Sequence, residues 1–365
     1  MTAKRIGVLF SLVVGLAIAS FPVRPAHALP IPMFTNEDRY ASVVVDAESG
    51  LVLAASNADQ ILHPASLTKI MTMYMTFEAL KKGKIKLTQV LPVSAHAASM
   101  TPTELGLKAG DKITTEQAML GLVTKSANDA AVVLAEALAG SELEFGRLMS
   151  EKAHALGMTQ SYFVNASGLP NPNQVSSARD MALLALALLR DFRNEYRYFS
   201  TLQFTYRGHV YFNHNRLLAL YKGTDGIKTG FIRDSGYNLV ASAQRDGRRV
   251  IGVVFGGSSG HARDAHMISL LDGGFRLLHA KGPKPADTDP APTMLSASLS
   301  KAIRLASTAE LDFTPAKKAA APTKPVSAGA ALQVAAKARE TATIREKVKA
   351  SKAKRSDGIQ TVALR

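Results

Sequence analysis

The chain has no cysteine and no tryptophan. Without thiols, disulfide staples, thiolate metal sites and cysteine nucleophiles are all excluded. Aromatic residues make up only 6% of the 365 positions, and acidic residues are in deficit, 29 against 44 Lys and Arg. The formal net charge of +15 points to an anionic partner: nucleic acid, an anionic lipid surface or an acidic polymer. Long apolar runs are scarce too. One extends from Ile6 to Ala19 behind Lys4 and Arg5, and Ala26-His27-Ala28 follows it. That run is short for a membrane span of about 20 residues. With small residues at both positions that a signal peptidase reads, it is expected to be a secretory signal (residues 1–28) cleaved after Ala28. No later run is long enough to span a bilayer, so the mature protein is expected to be exported to the periplasm or cell envelope. Export sets a nucleic-acid role aside.

The chain does have 47% hydrophobic residues, ample for a packed core. Apolar stretches Ala41–Asp46 and Leu51–Ala55 flank a glycine turn and read as a hairpin. A second hairpin is expected from Asn238–Gln244 and Arg249–Phe255. Between them, helical periodicity fits Leu67–Lys82, Thr115–Val123, Asp129–Ala139, Glu142–Leu156 and Ala178–Arg190. Strands at both ends around a helical middle predict an α+β fold, an antiparallel sheet with an inserted helical subdomain. Beyond Lys281 the composition changes. Residues 283–365 carry 15 Lys or Arg against 7 Asp or Glu, a net charge of +8, with Phe313 as the only aromatic residue. So little apolar material cannot offset the entropy of ordering, and 29–282 is expected to be the folded domain, followed by a disordered Pro/Ala/Lys-rich tail. Met294–Ser307 and Ala330–Ala353 are the tail stretches that a surface could turn helical.

Three short signatures occur in order: Ser66-Leu67-Thr68-Lys69, Ser126-Ala127-Asn128 and Lys228-Thr229-Gly230. Ser-x-x-Lys alone is weak, since 298–301 and 351–354 match it in the tail. Ser66 differs in context: Pro64 precedes it and an apolar-periodic helix begins there, placing backbone N–H groups and the positive dipole end beside its oxygen. Lys69 lies one turn on, on the same face. A lysine deprotonates a serine only as the neutral amine, against an ordinary lysine pKa of about 10.4. Burial and a second cation lower that value, and Lys228 is the candidate cation. Each motif also has a bland explanation, an N-cap and a solvated lysine for the first and a helix cap for the second. It is their joint occurrence at element ends that carries the signal.

The three motifs together resemble the set that marks β-lactamases and penicillin-binding proteins, with Ala127 where that set has aspartate. The chain resembles the serine-type D-alanyl-D-alanine carboxypeptidases, the low-molecular-weight penicillin-binding proteins, over about residues 35–280. The likeness extends to His63-Pro64-Ala65, Asn165-Ala166-Ser167-Gly168-Leu169, Asp225-Gly226-Ile227 and Gly236-Tyr237-Asn238-Leu239-Val240-Ala241-Ser242-Ala243. The resemblance implies a five-stranded antiparallel sheet flanked by helices, and no metal or other cofactor. Its substrate would be a peptidoglycan pentapeptide ending in D-Ala-D-Ala, and β-lactams would be inhibitors. It makes Ser66 the acylated nucleophile, Lys69 its base and Ser126 a proton relay to the leaving amine. Asn128 would hold Lys69 and the substrate amide, Lys228 would supply electrostatics, and Thr229 would bind the terminal carboxylate. The backbone N–H groups of Ser66 and of Phe231, just after Gly230, would form the oxyanion hole. Arg263 matches a basic position that helps hold the carboxylate, and reads equally well as a surface arginine.

Two departures matter. Many relatives have a β-rich second domain and a membrane-anchoring amphipathic helix, where this chain has its basic tail, a segment able to contact anionic lipid or wall polymer. Between Ser126 and Lys228 there is no Glu-x-x-Leu-Asn, the segment that carries the deacylating glutamate in class A β-lactamases, so a long-lived penicillin adduct is expected. Competing readings are weaker. Gly256-Gly257-Ser258-Ser259-Gly260 fits a nucleophile elbow with His261, His266 and His279 after it, but that motif needs a parallel sheet. No His-Glu-x-x-His exists for a zinc peptidase. Asn165-Ala166-Ser167 is a formal glycosylation sequon, better read as a turn. D,D-endopeptidase activity on cross-links would use the same serine chemistry, and a non-catalytic wall-binding protein would use the same fold.

Overall fold

Strands that are apolar on both sides need cover on both faces, because successive side chains point to opposite sides of a sheet. The chain meets this demand in a five-stranded antiparallel sheet, as the computed structural model of residues 37–280 shows. The expected signal peptide and the tail, with its two candidate helical stretches, lie outside the described residues. The strands are β1 (Ala41–Asp46), β2 (Val52–Ser56), the short pair β3 (Val90–Pro92) and β4 (Lys112–Thr114), the hairpin β5 (Gln203–Tyr206) and β6 (His209–Phe212), then β7 (Thr224–Ile232), β8 (Gly236–Arg245) and β9 (Arg248–Gly257). The helices are α1 (Lys69–Lys81), α2 (Ala95–Ala98), α3 (Thr115–Thr124), α4 (Asn128–Ala139), α5 (Glu142–Ala155), α6 (Ala178–Asp191), α7 (Leu217–Leu220) and α8 (Gly260–Ala280).

The main sheet runs β2-β1-β9-β8-β7. Val43, Val45, Val240, Ile251, Val253 and Phe255 face one core, shared with the inserted helices. Val44, Leu239, Ala241, Val250 and Val254 face the other, closed by Met267, Leu271, Phe275 and Leu278 of α8. Helix starts follow local chemistry. Thr114 and Gln117 form a capping box on α3, and Ser141 and Ser177 cap α5 and α6. Gly140, left-handed at φ 78°, ends α4, where a Cβ would be strained.

The helical segments predicted from periodicity are all present, with ends shifted by a residue or two. One shift matters. The helix expected from Leu67 begins as a 3₁₀ turn, Ala65–Thr68, and becomes α-helical only at Lys69. α1 is buried on nearly every side, with Ile70, Met71, Met73, Met75 and Phe77 fully enclosed. It is the central helix of the insert, and so has no polar stripe.

The 21-residue α8 has no counterpart among the expected elements. Its Gly273-Gly274 pair interrupts helical propensity, costing about 1 kcal/mol per glycine. Packing explains Gly274: a Cβ there would lie 2.9 Å from both Val250 Cγ1 and Val44 Cγ1, so helix and sheet could not approach as they do. At Gly273 the nearest atom would be 3.8 Å away, the tip of Arg276. Gly273→Ala is therefore expected to raise thermal stability by up to about 1 kcal/mol, and Gly274→Leu to lower it by about 1–3 kcal/mol. Melting temperatures of the two variants check this; equal shifts would show that α8 does not rest on the sheet at Gly274.

Candidate active site

Ser66, Lys69, Ser126, Asn128, Thr229, Gly230, Phe231 and Arg263 come from four separate stretches of chain and converge beside one cleft of about 830 Å³, with Lys228 buried nearby. Two of the loops are held in left-handed backbone that side-chain-bearing residues seldom adopt, Ala65 at φ 50° and Ser126 at φ 62°. Such strain persists only where the surroundings enforce it. Ser66 itself caps nothing. Its Oγ accepts a hydrogen bond from Lys69 Nζ at 3.1 Å.

Lys69 is wholly buried. Its ammonium also donates to Asn128 Oδ1 at 2.7 Å and to the carbonyl of Ser167 at 2.5 Å. Burial first, and then the Lys228 ammonium, hold the Lys69 amine well below the ordinary lysine value of 10.5, against the opposing pull of Asp129 and Glu142. Lys228, also buried, is pushed down to about 7 by burial and then by Arg263. The geometry thus contains the second cation that the spacing of the motifs required. Asn128 is itself anchored, its Nδ2 donating to Thr101 O and its N–H to Thr103 O. Next to it, Asp129 accepts from the N–H groups of Leu105 and Leu107, tying the 101–107 loop to α4. Ser126 Oγ is buried and makes no hydrogen bond among the described residues, so it is free to take a partner from the cleft.

Glycine sets the closest approaches. At Gly168, φ is +84° and a Cβ would stand 1.9 Å from the carbonyl of Ala65. The Asn165–Gly168 turn can therefore press against the Ser66 loop and present the Ser167 carbonyl to Lys69. Asn165 shapes that turn, accepting from Gly168 N at 2.7 Å and donating to Leu169 O at 3.0 Å. Its side chain serves the turn, as the sequence reading of the sequon expected. At Gly230, a Cβ would meet Pro64 O at 3.0 Å and Ser66 N at 3.2 Å. β7, the edge strand, thus lies close against the 3₁₀ turn at Gly230, bringing the backbone after Gly230 beside Ser66.

Arg263 is not a surface arginine. It is buried on α8, donates to Asp264 Oδ1 and to Asn238 O, and lines the cleft. Asp264 also accepts from Arg216, a half-exposed residue of the cleft wall. Phe231 is half exposed and packs against Tyr237, ring centroids 4.3 Å apart with the rings tilted. His214, unmarked by any motif, stands at the rim. It is open to solvent on its outer side, yet loss of water on the cleft side and the cations Lys228, Lys125, Lys69 and Arg263 push its imidazole down to about 4. Ser258 lies at the exposed end of an antiparallel strand, which removes the nucleophile-elbow reading. Among the described residues no cluster of three His, Asp or Glu is placed to hold a metal.

A buried lysine of lowered proton affinity touching a serine hydroxyl, with peptide N–H groups nearby, is an arrangement suited to serine acyl transfer. The sequence agrees with that class: residues 35–259 match the family model of D-alanyl-D-alanine carboxypeptidases, and the chain belongs to that family. It is 37% identical over 279 residues to the D-alanyl-D-alanine carboxypeptidase DacF of Bacillus subtilis (strain 168), covering 73% of this chain and 70% of that protein. To DacC of Escherichia coli (strain K12) it is 42% identical over 257 residues, 68% of this chain and 64% of that one. The chain thus spans about two thirds of these relatives' length. Among solved structures, penicillin binding protein 5 from Haemophilus influenzae aligns at 36% identity and a TM-score of 0.63, covering 65% of this chain and 70% of the other. Penicillin-Binding Protein D2 from Listeria monocytogenes, in its ampicillin-bound form, aligns at 30% identity and 0.60, covering 65% and 98%.

Two buried lysines with lowered pKa burden the fold. Between about 7 and 10.5, folded Lys228 has lost its proton while the unfolded chain still binds one, so stability rises with pH across that window. Lys228→Met removes the burden. The variant is expected to be more stable than wild type at pH 6, by about 1–2 kcal/mol, with the advantage shrinking towards pH 10. Loss of the neighbouring cation should also move the Lys69 titration to higher pH. Melting curves across pH and NMR of the lysine side chains measure the two effects; an unchanged Lys69 midpoint would show that the lysines do not sense each other.

Proposed function

We propose that the protein is an exported serine D,D-carboxypeptidase that removes the terminal D-alanine from peptidoglycan stem peptides through an acyl-enzyme, and that penicillins trap the same serine. The observation that carries this reading is the 3.1 Å contact between Ser66 Oγ and the buried Lys69, whose proton affinity is lowered. Neutral Lys69 takes the Ser66 proton as Oγ bonds to the carbonyl carbon of the penultimate D-alanine. The carbonyl oxygen becomes an oxyanion between the N–H groups of Ser66 and Phe231, where one such donor is worth roughly 10²–10³ in rate. The C–N bond breaks, and the proton passes through Ser126 to the departing amine of D-alanine. Water then adds to the ester and regenerates Ser66. The substrate backbone lies along the open edge of β7, which offers unpaired peptide groups for strand addition. Its carboxylate meets Thr229 and Arg263, while Lys228 supplies positive field and Asn128 orients both Lys69 and the substrate amide.

Fluorescent penicillin is expected to label the protein at Ser66 only, and a peptide ending in D-Ala-D-Ala to lose one D-alanine. Ser66→Ala and Lys69→Ala should abolish both without unfolding the domain. Lys228→Ala should slow acylation roughly 10–200-fold, the loss of one charge-assisted hydrogen bond of about 1.5–3 kcal/mol. Mass analysis of the labelled peptide decides the matter; label on another serine, or on Ser66→Ala, would overturn the assignment.

The basic segment 283–365 belongs to the same proposal, as an electrostatic tether to anionic membrane or wall polymer. Its support is the net charge of +8, at about 1 kcal/mol per basic residue near an anionic membrane. A chain truncated after Gly282 should stay folded and bind penicillin, but sediment less with anionic vesicles. Retention of the full chain should fall as salt rises. Equal sedimentation of the two chains, or indifference to salt, would reduce the segment to a spacer.

A further inference from the structure

Two backbone N–H groups form an oxyanion hole only if the segments that carry them are held at a fixed separation. Here they belong to different elements, the 3₁₀ turn at Ser66 and the edge strand β7. The residue paired with Gly230 across the sheet is Asn238 of β8. Its side chain is fully buried and reaches the backbone that leads into Ser66. Nδ2 donates to His63 O at 3.2 Å, to Pro64 O at 3.4 Å and to Ser235 Oγ at 3.1 Å. The first two are the carbonyls just before the Ser66 turn.

The amide's direction is fixed from its other end. Between Tyr237 and Leu239 the pairing of β8 with β9 slips, Tyr237 opposing Gly257 and Leu239 opposing Val254, so β9 carries one extra residue. A bulge of this kind frees a backbone N–H from the ladder. Gly256, at φ +83°, supplies that N–H to Asn238 Oδ1 at 3.2 Å. With its oxygen so engaged, the NH₂ group points toward the carbonyls of 63 and 64 and the Ser235 hydroxyl. The backbone oxygen of Asn238 meanwhile accepts from Arg263. One side chain therefore links the β9 bulge, the β7–β8 turn and the backbone leading into Ser66.

We infer that Asn238 is a positioning residue for the oxyanion hole: its amide, oriented by the Gly256 bulge, sets the spacing between the Ser66 turn and the strand that carries Phe231 N–H. This inference rests on the proposed acyl-enzyme chemistry. Asn238 touches no substrate, and its effect is on the tetrahedral stage of the reaction rather than on substrate binding.

The test compares wild type with Asn238→Ala and Asn238→Asp, normalised to folded protein by melting and circular dichroism. Acylation by penicillin and hydrolysis of a D-Ala-D-Ala peptide are followed as rate constants separate from KM. A boronic acid analogue of D-alanine, whose serine adduct places an oxygen in the hole, is titrated in parallel. Acylation should slow on the order of 10–100-fold, a displaced donor costing somewhat less than a removed one. KM should change little, and boronate affinity should fall by a similar factor.

In Asn238→Asp the carboxylate would face two carbonyl oxygens, and its protonation restores one donor. The ratio of variant to wild-type rate should therefore rise as pH falls. Wild-type rates and boronate affinity in Asn238→Asp, a loss of melting temperature alone, or a rate ratio flat in pH would each overturn the inference. If wild type shows no label on Ser66, the catalytic reading fails first, visibly, and the positioning role falls with it.

Discussion

A lysine amine enclosed in the protein core, with three oxygens within hydrogen-bond reach, governs how the rest of this molecule is built. Desolvating a cation is among the most expensive operations in folding, and a protein tolerates it only by supplying polar partners or by shedding the proton. Lys69 has both: Asn128, Ser167 and Ser66 receive its hydrogens, and its proton affinity is lowered. Each partner had to be brought from elsewhere. Asn128 requires the 101–107 loop to be pinned by Asp129, Ser167 requires the Gly168 turn, and Ser66 requires strained backbone at Ala65. All three partners lie in or beside the helical insert, and the edge strand of the sheet closes against the same turn at Gly230.

The placement of the site follows from this division. The helical insert provides the first residue of α4 and the Asn165–Gly168 turn, both facing α1. The sheet provides its edge strand, brought within contact of Ser66 because residue 230 has no side chain. A cleft forms where the two surfaces fail to close. Its polar lining comes from main-chain groups and from side chains already committed to holding the loops together, as with Asp264, which pairs with both Arg263 and Arg216.

Much of this was legible in the sequence. The period-3.6 segments became helices because burial and local propensity agree there, and the terminal hairpins were marked by glycine turns. The motif residues came together, Ser66, Lys69 and Asn128 around helix starts and Lys228–Gly230 within the edge strand β7. What stayed hidden has physical causes. α8 escaped because Gly273 and Gly274 contradict helical propensity and are reconciled only by contact with Val44 and Val250. β5 and β6 are short, half exposed and without a strong alternation. The 3₁₀ start of α1 depends on Gly168 and Gly230 pressing on it from parts of the chain more than 100 residues away. His214, Arg216, Asp264 and Asn238 have ordinary neighbours in sequence, and only tertiary packing shows what they hold.

The sheet order carries a consequence for how the chain reaches this state. β1 is paired on one side with β2, its immediate successor, and on the other with β9, some 200 residues later. During synthesis, the first hairpin emerges with one edge of β1 open and waits for Arg248–Gly257. The helical insert can collapse on local contacts in the meantime, but β1 has no partner on that edge until the last strand arrives. A fold closed by its first and last strands has long-range pairing as its slow step. Until then an apolar strand edge is exposed to neighbouring chains. The order of the strands thus makes completion of the sheet, and with it the juxtaposition of Ser66 and Lys228, a property of the whole domain rather than of any segment that could fold ahead of the rest.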